Sequence, residues 1–269
     1  MSPAPAASIW LVGCGNMGGA MLRRWIDSRI DPSRIIVIDP GDPQVPAGVR
    51  VRTAPPEDVM PETLVLAVKP QQLDSVAERM GPHVAGVRLL MSILAGVEEG
   101  ALADRFGAQT TVRVMPNLPV GIGKGVVALY SSSRDGRARA RAEQLMKPLG
   151  LVEWIGSEDK FDAVTALSGC GPGFVFRFID ALAAAGRALG LPADQALRLA
   201  KATVEGSATM AAEAGETPGV LADRVASPGG STREGMNVLD HEDALKKLML
   251  DTLTASARRN SELAEAARR

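Results

Sequence analysis

The chain has 269 residues, of which 46% are hydrophobic, and its 30 basic and 31 acidic residues leave a formal net charge of −1. This length favours two domains, because single hydrophobic cores stop growing near this size. The balanced charge excludes the broad positive field that binding to nucleic acid or to an anionic membrane surface requires.

The two cysteines, Cys14 and Cys170, stand far apart and outside any Cys-x-x-Cys pair. This usage argues against a disulfide framework, a zinc site or an iron–sulfur cluster, so we expect no metal. Residues 1–8 lack a basic region, and the apolar run that follows is too short for a signal peptide. The longest apolar helical stretch, 174–191, contains three charged residues and predicts no membrane span. We therefore expect a cytoplasmic protein.

Residues 1–156 alternate short apolar runs with helical patterns. The predicted strands lie at 9–12, 35–39, 64–68, 89–93, 112–115 and 126–130. Strands that alternate with helices pair in parallel, so these residues predict an α/β domain of the Rossmann type, with a mostly parallel sheet covered on both faces. The Arg- and Ala-rich stretch at 134–149 predicts a solvent-facing helix.

Residues 157–269 predict an all-helical second domain, because long helical patterns replace the β-branched runs. In the first long pattern, five apolar residues recur at three- and four-residue steps and form one helix face: Val175, Phe178, Leu182, Ala185 and Leu189. The simpler interpretation is a core within the chain. An Ala-rich domain with few aromatic residues makes a thin core, however, which favours a homodimer.

Gly13-Cys14-Gly15-Asn16-Met17-Gly18 follows the first predicted strand and precedes a helical stretch, the context that a G-x-G-x-x-G site requires. Gly13 allows a tight turn, Gly15 lets the backbone approach a pyrophosphate, and Gly18 lets helix and strand pack closely. The N–H groups of the helix then face the phosphates. The six residues predict a nicotinamide dinucleotide site; a turn with incidental glycines is the alternative.

Asp39 ends the second predicted strand 21 residues after Gly18, where the partner of the adenine ribose is expected. A carboxylate accepts hydrogen bonds from both ribose hydroxyls and repels a 2′-phosphate, so of NADH and NADPH we expect NADH to be preferred. In the alternative, Asp39 only caps its loop, and Arg50 or Arg52 reaches the phosphate.

The carboxyl edge of the predicted sheet, where ligands bind in such folds, holds further candidates. Ala67-Val68-Lys69-Pro70 ends the third strand, and the Lys69 ammonium could meet phosphate or ribose, although exposed lysines are common. Residues 92–96 and Asn117 belong to the same edge. The Asn117 amide could bind the nicotinamide carboxamide or order its own loop, and loop ordering is the simpler interpretation.

Two glycine-rich segments, 167–172 and 227–232, are predicted to lead into helices. Successive glycines expose backbone N–H groups, and adjacent hydroxyls and the helix dipole complete a receptor for a carboxylate. Ordinary helix capping by Ser or Thr, which stabilises by ~1 kcal/mol, does not explain two glycine-rich copies.

With these segments the chain resembles the pyrroline-5-carboxylate reductase family. Five blocks carry the resemblance along nearly the whole length: 13–18, 68–71, 113–117, 163–172, and 225–232 with Gly235. The last, which contains Ser-Pro-Gly-Gly-x-Thr before an apolar helix, is the most specific. The family implies a Rossmann domain, here 1–156, and an all-α dimerisation domain, here 157–269, in a homodimer that often assembles further.

The resemblance also implies roles for individual residues in the reduction of 1-pyrroline-5-carboxylate to L-proline with hydride from NADH or NADPH. Thr232 matches the hydroxyl that contacts the substrate, and we expect it to hydrogen-bond the ring nitrogen. The remaining matches are Ser227, Gly230 and Ser231 in the loop that binds the substrate carboxylate, and Glu158 at the acidic position of the domain junction.

Three residues depart from the family pattern. Cys170 stands where Ser is usual, and Arg224 stands where Asn is frequent. Asp39 departs most, because many members favour NADPH.

Two other functions fit parts of the sequence. A related imine reductase or β-hydroxyacid dehydrogenase on the same plan would need a lysine in the long helix after the junction; Lys201 is a candidate but lacks the expected Asn partner. A non-catalytic dinucleotide-binding protein would bind NADH without oxidising it.

Overall fold

The computed structural model describes residues 9–57 and 59–267, so the stretch 1–8, for which no signal peptide is predicted, lies outside the described residues. The described chain divides into two compact units. The first holds the residues through Cys170 and those from Ser256 onward, and the second holds Gly171–Ala255. The domain boundary after residue 156 stays a prediction.

Eight strands in the described residues form the single sheet of the first unit. They are β1 (Ile9–Val12), β2 (Ile35–Ile38), β3 (Arg50–Arg52), β4 (Thr63–Leu66), β5 (Leu89–Ser92), β6 (Thr110–Pro116), β7 (Gly125–Tyr130) and β8 (Gly150–Trp154). Their order is β3-β2-β1-β4-β5-β6-β7-β8. All neighbours pair in parallel except β6 and β7, which are antiparallel. The predicted mostly parallel sheet is confirmed.

The central strands are buried on both faces, because helices cover the sheet from either side. These helices are α1 (Asn16–Asp27), α2 (Leu73–Val84), α3 (Glu99–Phe106) and α4 (Gly136–Met146). Along β1, Ile9 and Leu11 pack into one apolar layer with Trp25 of α1. Trp10, which alternates with them, packs into the opposite layer with Val76 of α2. The helix predicted at 134–149 corresponds to α4 followed by one 3₁₀ turn.

After β8 the chain is helical. The first unit includes α5 (Phe161–Val164), and the second unit is built from α6 (Gly171–Ala188), α7 (Ala193–Glu213), α8 (Pro218–Val225) and α9 (Ser231–Asp240). The last helix, α10 (Ala244–Ala267), begins in the second unit and ends in the first. The all-helical second part of the chain is confirmed.

Helices α6 and α7 pack through small residues. A Cβ placed on Gly186 would lie 3.4 Å from the Cβ of Ala196, and Ala183 and Ala200 are buried. Because alanines fill the contact, the large apolar side chains of α6 are left on its other surface.

The apolar stripe of α6 is exposed within the chain. Its exposed fractions are 46% for Val175, 53% for Phe178, 38% for Leu182 and 88% for Leu189. The simpler interpretation of this stripe, as core within the chain, is therefore wrong. A face this apolar marks an interaction surface, as the alternative interpretation required.

Candidate functional site

The glycine turn between β1 and α1 requires glycine at its first and last positions. Gly13 has φ +88°, and a Cβ there would lie 2.6 Å from the carbonyl oxygen of Ala67. A Cβ on Gly18 would lie 2.5 Å from the carbonyl oxygen of Gly13. Neither position tolerates a side chain without movement of the backbone, so the tight packing of strand, turn and helix depends on both.

Gly15 differs from these two glycines because a Cβ there would meet no described atom within 4 Å. It is the N-cap residue of α1, and no described side chain caps this helix end. The first N–H groups of a helix lack partners inside the helix and attract anions. Open space directly before such a helix is the cradle that a pyrophosphate fills, so the turn fits a dinucleotide.

A cleft of about 520 Å³ lies beside the turn, within the size range of small-molecule sites. Six of the predicted cofactor residues line it: Gly13, Gly15, Asp39, Ala67, Val68 and Lys69. Its far wall belongs to α2 and includes Val76, Arg79 and His83, which the sequence did not single out. The apolar side chains of this wall suit an adenine ring.

Asp39 binds backbone with both carboxylate oxygens. Its Oδ2 accepts the N–H of Cys14 at 2.7 Å, and its Oδ1 accepts the N–H of Gly41 at 2.9 Å. These bonds are those of a loop cap, yet the residue also lines the cleft. A carboxylate offers about four lone-pair positions, so capping leaves room for ribose hydroxyls. Arg50, one of the two alternative phosphate ligands beside Arg52, donates instead to the carbonyl oxygen of Ser33 at 3.1 Å.

The Cys14 thiol is not activated for chemistry. Partial burial, and secondarily the nearby Asp39 carboxylate, raise its pKa above the usual value. A thiol with a raised pKa stays protonated and is a weak nucleophile. Cys14 therefore serves the turn through its backbone.

A second, smaller cavity of about 120 Å³ lies at the carboxyl ends of β5 and β6, within the first unit. Pro70 is the predicted cofactor residue that lines it, next to Gln71 of the same loop. The strand ends contribute Ser92, Leu94, Ala95, Gly96, Arg113, Val114 and Met115, and the helices contribute Phe161, Asp162, Thr165 and Asn260. Arg113 belongs to the block 113–117 that carries the family resemblance, but neither it nor Asp162 or Asn260 was identified as a site residue from the sequence.

Glu158 binds two groups of the first unit through one oxygen. Its Oε1 accepts the backbone N–H of Glu99, at the start of α3, at 2.7 Å and Arg113 Nη1 at 2.8 Å. The Arg113 side chain is only 9% exposed, and its guanidinium lies 4.3 Å from the centre of the Phe161 ring. Glu158 thus holds Arg113 in the wall of the small cavity. The substrate-binding role of Glu158 stays a prediction.

Asn117 is buried and bridges two backbone segments. Its Nδ2 donates to the carbonyl oxygen of Ser168 at 2.9 Å, and its Oδ1 accepts the N–H of Val126 at 2.8 Å. This is the geometry of the loop-ordering interpretation. Contact between Asn117 and the cofactor stays a prediction.

The first glycine-rich segment, 167–172, is not the open receptor that its composition predicts. Residues Thr165–Gly169 form a π-helical turn that joins α5 to α6. The Cys170 N–H donates to the carbonyl oxygen of Thr165 at 2.8 Å, and Ser168 Oγ donates to that of Val164 at 2.8 Å. The expectation of an open loop was wrong because the chain stays helical through these glycines. Its backbone carbonyls accept hydrogen bonds from N–H groups five residues later.

The second glycine-rich segment does form a turn that leads into a helix. Gly229 has φ +70°, the Gly230 N–H donates to the carbonyl oxygen of Ser227 at 2.9 Å, and α9 begins at Ser231. No described side chain caps this helix end, and Thr232 in its first turn is exposed. The turn therefore presents hydroxyls and uncapped N–H groups, the donors that suit a carboxylate.

Other site classes find no support in the part of the chain that the structure describes. No three His, Cys, Asp or Glu side chains there are grouped so that they could hold a metal ion. None of the helices in residues 9–57 and 59–267 is long and apolar enough to cross a membrane.

Two family models match the chain. One, described as pyrroline-5-carboxylate reductase dimerisation, matches residues 158–263. The other, described as NADP oxidoreductase coenzyme F420-dependent, matches residues 8–96, which contain the glycine turn and Asp39.

Similar proteins span nearly the whole chain. The pyrroline-5-carboxylate reductase of Glycine max is 34% identical over 97% of each chain. The structure of a pyrroline-5-carboxylate reductase from Coxiella burnetii superimposes with a TM-score of 0.86 at 31% identity, covering 96% of this chain and 98% of that one. The Plasmodium falciparum pyrroline carboxylate reductase, solved with NADP bound, has a TM-score of 0.82 at 25% identity over the same shares.

Proposed function

The chain belongs to the pyrroline-5-carboxylate reductase family, and on this premise we propose that it reduces 1-pyrroline-5-carboxylate to L-proline with a hydride from NAD(P)H. The observation that carries the proposal is the glycine turn, whose open cradle at Gly15 fits a pyrophosphate. It stands in a chain that matches a pyrroline-5-carboxylate reductase over 97% of its length. The protein is an NAD(P)H-dependent oxidoreductase of proline biosynthesis.

The residues of the first unit hold the dinucleotide. The N–H groups at the start of α1 bind the pyrophosphate, Asp39 binds the adenine ribose, and residues 67–69 line the cleft. When bound, the reduced nicotinamide supplies the hydride that the imine carbon C5 accepts. The protein contributes position, because orienting the reactants accounts for a large part of such a barrier.

The turn at 227–232 is the proposed substrate loop. We assign binding of the substrate carboxylate to Ser227, Gly230 and Ser231, which sit at the uncapped start of α9. Protonation of the ring nitrogen makes C5 a better hydride acceptor. Thr232 Oγ1 accepts a hydrogen bond from this protonated nitrogen. Glu158 acts on the reaction through Arg113, to which it is bonded.

A preference for NADH over NADPH is the finer part of the cofactor proposal. The Asp39 carboxylate lines the cleft, and its negative charge opposes a 2′-phosphate. Arg50, one of the two arginines that could compensate for this charge, donates instead to the carbonyl oxygen of Ser33.

The protein is a homodimer that acts on a small molecule. The exposed apolar stripe of α6, with Phe178 and Leu189, supplies surface for the partner subunit. We further propose that dimers assemble into a larger oligomer, as the family resemblance implies. A cytoplasmic location is proposed from the cysteine usage, since Cys14 and Cys170 are both free thiols.

One absorbance experiment tests the proposed reaction. Purified protein with NADH should lose absorbance at the nicotinamide band when 1-pyrroline-5-carboxylate is added, and a β-hydroxyacid should produce no NADH from NAD⁺. Binding of NADH without oxidation would favour the non-catalytic protein. Turnover of the hydroxyacid alone would favour the dehydrogenase that Lys201 suggested.

A further inference from the structure

The small cavity at the ends of β5 and β6 borders the same loop as the dinucleotide cleft. Residues 67–69 line the cleft, and the next two, Pro70 and Gln71, line the cavity. A cavity of roughly 150 Å³ holds a benzene molecule, so about 120 Å³ with an open mouth suits one six-membered ring. If the proposed function is right, on which this inference rests, the ring available at this place is nicotinamide.

Asp162 places a hydrogen-bond acceptor in the cavity wall. Its Oδ2 accepts the Ser261 hydroxyl at 2.6 Å, and this hydroxyl also lies 3.3 Å from the carbonyl oxygen of Ala257 in α10. The carboxylate is therefore oriented by a helix that begins far away in sequence. Its other oxygen retains lone pairs for a ligand, because a carboxylate accepts at about four positions.

Two donors lie in the same wall. Arg113 donates through Nη1 to Glu158 and keeps the remaining N–H groups of a guanidinium that has five. Asn260 also lines the cavity, and its Nδ2 is buried without a hydrogen-bond partner among the described residues. A buried polar atom without a partner costs about 1–3 kcal/mol, so such groups usually serve a ligand or an ordered water.

We propose that Asp162 binds the carboxamide of the nicotinamide ring by accepting a hydrogen bond from its NH₂ group, and that Ser261 positions Asp162 for this contact. A carboxamide presents an N–H donor on one side and a carbonyl acceptor on the other, which matches the one acceptor and two donors that line this cavity. Arg113 and Asn260 supply the donors for the carbonyl oxygen. Fixing both sides of the carboxamide sets which face of the ring is turned towards the substrate.

The test is a comparison of three ligands by equilibrium binding, which needs no turnover. The ligands are NADH, ADP-ribose, which lacks the ring, and the reduced 3-acetylpyridine analogue, in which a methyl group replaces the NH₂. Wild-type protein should bind the analogue about tenfold or more weakly than NADH, as expected for loss of a hydrogen bond to a charged group.

Two variants and one control complete the experiment. Asp162→Ala should lose about tenfold or more in NADH affinity, bind ADP-ribose as the wild type does, and bind NADH and the analogue equally. Ser261→Ala is a milder change that leaves the Asp162 carboxylate in place, and it should lose part of the difference in affinity between NADH and the analogue. Asp159→Ala removes an exposed carboxylate three residues away and should change nothing.

The inference is overturned if Asp162→Ala, or Ser261→Ala should the first variant not fold, discriminates between NADH and the analogue as strongly as the wild type. Equal loss of ADP-ribose and NADH affinity would also overturn it, because the residue would then act on the whole site. Failure of the proposed function would give a different result: the predicted NADH, ADP-ribose and analogue affinities would be found, but 1-pyrroline-5-carboxylate would not be reduced.

Discussion

Asp39 ties the end of β2 to the glycine turn, because its Oδ2 accepts the backbone N–H of Cys14 at 2.7 Å. One carboxylate therefore shapes the turn that we propose binds the pyrophosphate, and it lines the cleft that we propose takes the adenine ribose. We expect the hydrogen bonding and the charge of this side chain to have separable effects on cofactor choice.

Replacing Asp39 by Asn separates the two effects. The Asn oxygen can still accept the Cys14 N–H, but the negative charge that opposes a 2′-phosphate is gone. We expect the ratio of kcat/KM for NADH to that for NADPH to fall by about tenfold, as for loss of one charge contact in a partly exposed site. Steady-state kinetics with both cofactors measures it. Asp42→Asn, on an exposed neighbour, should leave the ratio within twofold.

Alanine at Gly15 and at Gly18 should fail for different reasons. Gly18→Ala places a Cβ against the Gly13 carbonyl, and we expect it to lower the free energy of unfolding by about 1–3 kcal/mol. Gly15→Ala meets open space, so its stability should change by less than about 1 kcal/mol. Its NADH affinity should fall about ten- to a hundredfold, because the methyl group displaces the pyrophosphate.

Urea unfolding and NADH titration measure the two effects in each variant. An unchanged NADH affinity of Gly15→Ala would show that the open space at this residue is not the phosphate cradle.

Removing the Glu158 carboxylate should destabilise the first unit. Glu158→Ala leaves the buried Arg113 guanidinium and the Glu99 N–H without their acceptor, at a cost of about 2–4 kcal/mol in the free energy of unfolding. Glu158→Gln keeps an oxygen for the N–H and should lose less. The matched surface change Asp180→Asn, in an exposed pair with Arg177, should stay within about 0.5 kcal/mol.

These measurements require one fixed protein concentration, since the stability of a dimer depends on it. If Glu158→Ala unfolds like the wild type but loses substrate affinity, the direct substrate contact implied by the family resemblance is the better account.

Thr232→Ala should lower kcat/KM for 1-pyrroline-5-carboxylate by roughly ten- to a thousandfold, the range for loss of one positioned polar group. The side chain is exposed in the first turn of α9, so the fold should not change. The NADH dissociation constant should stay the same, and Thr232→Ser should restore most of the activity. An unchanged kcat/KM in the alanine variant would remove Thr232 from the reaction.

The sequence predicted the buried strands well and the edge strands not at all. β1 and β2 are continuous apolar runs, and β4 and β5 are apolar except for Thr63 and Ser92 at one end, because helices cover all four strands on both faces. The missed strand β3 is exposed at every residue, and the missed β8 alternates between partly buried and exposed residues. An edge strand has no apolar run to reveal it. The antiparallel step from β6 to β7 was missed because an apolar run does not encode its direction.

The candidate site divides in the same way. The glycine turn and the loop at 227–232 are local, so their residues stand together in the sequence. Arg113, Asp162 and Asn260 line one cavity but come from a strand, a short helix and the last helix. No local spacing could bring them together. The π-helical turn at Thr165–Gly169 was mistaken for a loop because the sequence shows that glycines are present but not whether the backbone around them is helical.

The most direct test of the central claim follows the hydride itself. Wild-type protein is incubated with 1-pyrroline-5-carboxylate and NADH in which deuterium replaces both hydrogens on C4 of the reduced ring. The product is analysed by mass spectrometry and NMR. The proposed reaction predicts proline with one deuterium at C5, formed in equal amount to the NADH consumed. Proline without deuterium, or NADH that is bound but never consumed, would contradict it.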